Sequence, residues 1–176
     1  MESSKSIFKN TLLNCFLLSG IIIVNTFNAQ ESTAKTQKNL KIPKVFSYRS
    51  ASCDCCKRWV NHLRDNGLKV VDNIIEDISE IKKIYNIPNN LRSCHSARIG
   101  KYTIEGHVPI ESINKLFKEK PSISGLAVPG MPHGSPGMET NSQELHSHNY
   151  GTYKVVSFSN SGKTKLFDKI SPLSKH

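Results

Sequence analysis

Three of the chain's five cysteines fall within four residues, in Ser52-Cys53-Asp54-Cys55-Cys56-Lys57-Arg58-Trp59. Cys53 and Cys56 form a C-x-x-C, and Cys55 adds a third thiol between them. A thiolate both attacks disulfides and binds soft metals, so the cluster admits three chemistries. It can form a structural disulfide, exchange disulfides with another molecule, or hold a metal. In the exchange reading Cys53, the more exposed of the pair, is the nucleophile and Cys56 the resolving thiol. Three thiols exceed what one structural disulfide needs, which favours redox or metal chemistry.

Further donors are spread along the chain. Cys94 is a fourth thiol, and with Cys53, Cys55 and Cys56 it would make a four-sulfur site suited to Cu(I) or Zn(II). Adjacent Cys55 and Cys56 suit a multi-metal thiolate cluster better than a single tetrahedral ion. His95 follows Cys94 and alternates with it along an expected strand, which would turn the two side chains to opposite faces. His95 is therefore open between ligand and packed histidine. His107 precedes an expected helix and is a candidate ligand. Met131 and Met138 lie on a Gly/Pro-rich loop, where soft thioethers suit Cu(I) and also fill packing gaps. Trp59 reads as core, and His62, off the apolar face of its helix, as solvated.

The elements that position these residues can be read from periodicity. Val45, Phe46 and Tyr48 mark a strand over residues 44–49. Cys56, Trp59, Val60 and Leu63 recur at i, i+3, i+4 and i+7, one face of a helix over about 53–66 that Gly67 ends. The cysteine cluster thus sits at a strand-to-helix turn, where unpaired N–H groups and the positive end of the helix dipole favour thiolate. A second strand covers 68–75. Asp77-Ile78-Ser79-Glu80 has the form of a capping box, opening a short helix that carries Ile81, Ile84 and Tyr85. Residues 94–105 read as a hairpin turning at Gly100-Lys101. Pro109 starts a helix lined by Ile110, Ile113, Leu116 and Phe117. Residues 121–137 read as loop, and a final hairpin turns around Asn160-Ser161-Gly162. The order β-α-β-α-β-β-α, with a C-x-x-C at its first β-to-α turn, is the layout of a thioredoxin-like α/β fold with an added C-terminal β-hairpin. A redox member of that fold carries a cis-proline just before the third strand. Arg92-Ser93 stand there instead, followed by Cys94, which favours a metal site over general disulfide exchange. The same order places Cys94 beside the cluster despite the intervening sequence.

At 176 residues the chain can bury one real core, and its 22% charged and 37% hydrophobic residues are those of an ordinary globule. The net charge is +10, but Lys and Arg form no dense run and no nucleic-acid-binding motif accompanies them, so nucleic acid is not expected as a partner. Lys5 and Lys9 precede an apolar run from Leu12 to Val24, the pattern of a signal peptide over 1–29 with Ala29 at the cut. Cys15 lies inside that run, where a lipidation cysteine would end it. Residues 30–43 read as a flexible linker and 44–176 as the metal-binding domain. The expected location is exported and periplasmic, an oxidising compartment, with no stable membrane insertion after cleavage and membrane anchoring if the segment is retained.

Four ordered motifs carry a resemblance. They are Cys53-Asp54-Cys55-Cys56-Lys57-Arg58-Trp59, Ser93-Cys94-His95-Ser96-Ala97, Tyr102-Thr103-Ile104-Glu105-Gly106-His107-Val108-Pro109, and the Gly125 to Pro132 run continued by Gly134 to Glu139. The resemblance they carry covers about Val45 to Phe167. On them the chain resembles the CopG-type family of small exported proteins of unknown function associated with copper resistance. The resemblance implies a thioredoxin-like fold, a bound metal that is copper, an exported location and other exported copper-handling proteins as partners. It does not settle enzymatic activity, so thiol-disulfide oxidoreduction through Cys53 and Cys56 stays the alternative. His133 and the His146/His148 pair depart from the family pattern.

Overall fold

The computed structural model describes residues 40–139 and 152–171. The expected signal segment 1–29, most of the expected linker 30–43 and the His146/His148 pair lie outside the described residues. All described elements belong to the unit running from Lys41 to His176.

The molecule is mixed α/β, built on one seven-stranded sheet. In chain order the elements are β1 (Val45–Arg49), α1 (Asp54–Asp65), β2 (Val70–Ile74), α2 (Ser79–Ile84), a 3₁₀ turn (Asn89–Leu91), β3 (Ser96–Ile99), β4 (Tyr102–Gly106), α3 (Ile110–Glu119), β5 (Gly125–Val128), β6 (Tyr153–Phe158) and β7 (Thr164–Ile170). The sheet order is β2-β1-β3-β4-β5-β6-β7. β1 runs parallel to β2 and antiparallel to β3, and β4 runs antiparallel to β3 and parallel to β5. β6 and β7 continue the sheet as an antiparallel hairpin.

β5 corrects the reading of residues 121–137 as loop. Its four residues are too few to show a period among so many Gly and Pro. Its first residue is Gly125, where any Cβ would collide with the Thr103 carbonyl and the Phe158 ring. It bridges the first four strands to the C-terminal hairpin, so the hairpin is an extension of the sheet.

Helix α1 buries the expected stripe of Cys56, Trp59, Val60 and Leu63. It closes in a Schellman motif: Gly67 N–H donates to Arg64 O and Leu68 N–H to Leu63 O, with Gly67 at φ +82°. Helix α3 buries Ile110, Ile113, Leu116 and Phe117. The β3–β4 hairpin turns at Gly100-Lys101, and Gly100 takes a φ of +55°.

Helix α2 departs from the sequence reading in two ways. The capping box does not close. Asp77 accepts from the Ser79 N–H and hydroxyl, while Glu80 reaches Lys83 instead of turning back. The helix also turns Lys82 inward and leaves Ile84 67% exposed. The cause lies on β4. Glu105 is fully buried there, and a buried carboxylate requires a cation and hydrogen-bond donors. Lys82 Nζ lies 2.6 Å from Glu105 Oε1 and 2.9 Å from Ser96 Oγ, and Ser96 Oγ donates to Glu105 Oε2 at 2.6 Å.

This pair generates a prediction. Lys82→Ala should lower stability by about 3–5 kcal/mol, because it strands an unpaired buried carboxylate. Lys82→Met combined with Glu105→Gln should cost less than the single change. Urea denaturation of the three proteins checks it, and a single variant within about 1 kcal/mol of wild type would refute it.

Candidate metal centre

The strand-to-helix turn after β1 presents the cluster. Cys53 stands at the N-cap of α1 with extended backbone (φ −86°, ψ 90°) and makes no side-chain capping bond. Cys53 and Cys56 are joined as a disulfide with a Cα–Cα distance of 5.3 Å. Cys56 is fully buried on the inner stripe, whereas Cys53 and Cys55 are half-buried. Cys55 stays a free thiol, its sulfur 3.5 Å from that of Cys53.

Cys94 arrives from the other side. β3 pairs antiparallel with β1, with Ser96 opposite Tyr48, so the residues just before β3 lie beside the turn just after β1. The sulfurs of Cys53, Cys55, Cys56 and Cys94 all lie within 4.8 Å of one another. The segment carrying Cys94 is pinned from behind. Ser93 N–H donates to Glu105 Oε1 at 2.5 Å. Gly106, at φ +69°, has no Cβ to strike Ser93, whose side-chain atoms would lie 2.8 Å away.

Cys94 also belongs to a second group. Its sulfur is 3.3 Å from His95 Nδ1 and 3.1 Å from His107 Nε2, and the three ligand atoms of Cys94, His95 and His107 lie within 4.8 Å of one another. The expectation that Cys94 and His95 face opposite ways is corrected here. Both precede β3, which begins at Ser96, so strand alternation does not govern them. His95 is fully buried, with its ring 4.4 Å from that of Trp59 and 4.9 Å from that of His107. Trp59 in turn donates from Nε1 to Val108 O at 2.9 Å, locking α1 to the segment after His107.

The loop after β5 closes over this arrangement. His107 Nδ1 lies 2.7 Å from Pro136 O, and Arg58 Nε donates to Gly137 O at 3.0 Å. Gly137 takes a φ of +86°, and a Cβ on it would collide with the Cys55 carbonyl and sit 2.9 Å from Trp59 N. Glycine therefore lets the main chain lie directly on the first turn of α1. Met138 adjoins this glycine and is half-buried, while Met131 is 42% exposed at the far end of the loop with a φ of +47°. His62 is half-buried rather than solvated, and its Nε2 accepts from the Ile110 N–H at the start of α3 at 3.4 Å.

Burial dominates the electrostatics. It pushes the Cys94 thiol up to about 11, helped by the neighbouring Cys55. Burial also holds His95 well below the usual histidine range, with smaller contributions from His107 and Lys82. His107 is lowered by burial, against which the Pro136 carbonyl acts in the opposite sense. Both imidazoles are therefore neutral near pH 7, the form that offers a nitrogen lone pair.

Sequence reasoning did not reach the main-chain partners at Pro136 and Gly137, nor the Lys82–Glu105–Ser93 clamp. The clamp left one trace in the sequence: Glu105 is a lone carboxylate in the otherwise uncharged run Thr103 to Val108. The Pro136 contact left none, because a carbonyl is common to every residue.

Comparisons with known proteins add to this geometry. A family described as "Protein of unknown function, DUF411" matches residues 91–138, which include Cys94, His107 and Gly137. Among solved structures, "Copper resistance protein copG- Form 2" is similar at 38% sequence identity and a TM-score of 0.65, over 73% of this chain and 99% of that one. "Copper resistance protein copG- Form 1" is similar at the same identity and TM-score, over 74% of this chain and 98% of that one. No curated protein matches the chain.

The raised thiol gives a prediction. A thiol whose acidity is shifted upward reacts as thiolate only at higher pH. Alkylation of Cys94 in the metal-free protein should keep accelerating as pH rises past 9.0, the ordinary thiol value, toward about 11. Pulse labelling with iodoacetamide and peptide mapping reads it. A rate that levels off below pH 9 would contradict the buried, protonated thiol.

Proposed function

This chain belongs to the CopG-type copper-resistance family, and from that premise we propose that it is an exported protein that binds Cu(I) in copper handling or resistance. The observation that carries the reading is the convergence of four sulfurs, from Cys53, Cys55, Cys56 and Cys94, to within 4.8 Å of one another. Soft thiolates favour Cu(I), while hard cations such as Mg²⁺ prefer oxygen ligands. Zn(II) is the second cation such a donor set takes. With the Cys53–Cys56 disulfide reduced, adjacent thiols at Cys55 and Cys56 and the nearby Cys94 suit a cluster of several ions.

Each residue has a part in this reading. Cys53, Cys55, Cys56 and Cys94 supply sulfur once an external dithiol has reduced the Cys53–Cys56 disulfide and has itself become a disulfide. His107 supplies Nε2, oriented by its other nitrogen against Pro136 O, the outer support that histidine ligands generally use. Met138, carried beside Gly137, and Met131 are the auxiliary thioethers. The sheet order β2-β1-β3-β4 with its parallel and antiparallel senses supports a thioredoxin-like core extended by β5 to β7. We place the protein in the periplasm, released from residues 1–29, where other exported copper-handling proteins would be its partners.

A second reading has one observation in its favour. The Cys53–Cys56 disulfide, with Cys53 the more exposed sulfur, fits thiol-disulfide exchange with an external dithiol. Exchange would reduce this disulfide and oxidise the dithiol, with Cys53 attacked first and Cys56 released.

Copper competition separates the two readings. Protein reduced without air should withhold Cu(I) from a chromophoric chelator, and Cys94→Ser should weaken binding by at least about tenfold, as loss of a direct ligand exceeds the lower end of outer-shell effects. If the wild type binds no tighter than a variant with all four cysteines changed to Ser, the copper reading fails. Turnover of a dithiol unaffected by Cys94→Ser would then favour the exchange reading. Intact-mass measurement of the exported protein should show residues 1–29 removed. A full-length mass in the soluble exported fraction would refute cleavage.

A further inference from the structure

Two histidines meet the sulfur of Cys94, and their surroundings make them chemically unlike. His107 Nδ1 lies 2.7 Å from Pro136 O. A carbonyl oxygen only accepts, so the His107 proton sits on Nδ1. A neutral imidazole carries a single N–H, which leaves His107 Nε2 presenting a lone pair to Cys94 Sγ at 3.1 Å.

His95 faces the same sulfur with its other nitrogen. Its Nδ1 is 3.3 Å from Cys94 Sγ, and its Nε2 is buried with no hydrogen-bond partner among the described residues. A proton on Nε2 would be a buried N–H without an acceptor, which carries the full cost of desolvating a donor. A proton on Nδ1 points at a sulfur within bonding reach. The ring is held in this pose by Trp59, 4.4 Å away between centroids, and by the His95 carbonyl, which accepts from the Gly106 N–H at 3.0 Å.

We propose that His95 is a positioning residue that donates Nδ1–H to Cys94 Sγ, while His107 alone offers that sulfur's surroundings a nitrogen lone pair. As a thiol Cys94 gives S–H to His107 and receives N–H from His95, with the Ser93 hydroxyl as a longer donor at 3.9 Å. As a thiolate it keeps the His95 hydrogen bond, which spreads its charge and fixes the direction of its remaining lone pairs. Hydrogen bonding to a cysteine sulfur is a recognised way for a protein to tune a metal–thiolate site. His95 thus acts on a metal through Cys94 and is not itself a ligand. The tautomer assignment concerns the metal-free protein and stands apart from the copper reading; the step to the metal rests on that reading.

The test reads the ring nitrogens directly. Long-range ¹H–¹⁵N correlation spectra of the labelled, metal-free full chain should show both His95 and His107 as Nδ1–H tautomers. On adding Cu(I) alone to the reduced protein, the His107 Nε2 signal should move as a ligand nitrogen does, and the His95 nitrogens should keep their pattern. His95→Asn, whose side-chain amide can present an N–H near the Nδ1 position, should retain Cu(I) affinity within about threefold. His95→Phe, which keeps a ring against Trp59 without a donor, should lose about 10- to 100-fold in affinity at unchanged copper stoichiometry, the range seen for outer-shell partners. An Nε2–H tautomer at His95 overturns the proposal, as does ligand-type movement of a His95 nitrogen, or equal behaviour of the Asn and Phe variants. If copper does not bind at all, the metal-free spectra still decide the tautomer, and only the copper reading falls.

Discussion

A carboxylate sealed from water holds the site in register. Glu105 has no exposed surface, so its charge must be met inside the protein. One oxygen takes the Lys82 ammonium and the Ser93 N–H, and the other takes the Ser96 hydroxyl. Those donors belong to α2, to the segment that carries Cys94, and to β3. A single buried group on β4 thus fixes where a helix docks and where a functional sulfur is presented. The neighbouring Gly106 allows the close approach that this requires. Stranding any member of such a network is costly, so the segment that carries Cys94 keeps its place beside the cysteine cluster.

The second constraint is topological. Antiparallel pairing of β1 with β3 puts the exit of one strand against the approach to the other. Cys94 therefore meets the C-x-x-C turn through sheet geometry, with no long side chain reaching across. The disulfide, the free thiol at Cys55 and the two histidines then divide around Cys94, which is the one residue common to both donor groups. Trp59 ties the two sides together, packing on His95 and bonding to Val108 O.

Much of this was legible from sequence where one local rule dominated. The helical stripe of Cys56, Trp59, Val60 and Leu63, the Gly67 stop, and the Gly100-Lys101 hairpin follow from periodicity and turn chemistry. The nearness of Cys94 to the cluster followed from element order. What escaped was decided by partners distant in sequence. Lys82 turns inward and Ile84 outward because Glu105 must be neutralised, and helix periodicity cannot register that demand. β5 is only four residues long among glycines and prolines, and it exists because β4 and β6 offer it edges on both sides. Strand alternation does not govern His95, which stands one residue before β3 begins. His62 looked solvated because its partner, the Ile110 N–H, belongs to another helix.

The way the loop after β5 covers the site has a consequence for how this protein can diversify. The cover is made of main chain: a carbonyl at Pro136, another at Gly137, and the missing Cβ that lets them approach. None of these contacts is made by the side chains of Met131 or Met138. Thioether and apolar groups can therefore be exchanged at Met131 and Met138 while the main-chain contacts to His107 and Arg58 keep their geometry. Access to the sulfurs and the placing of the sulfurs thus rest on different residues, and the loop can change the first without rebuilding the fold.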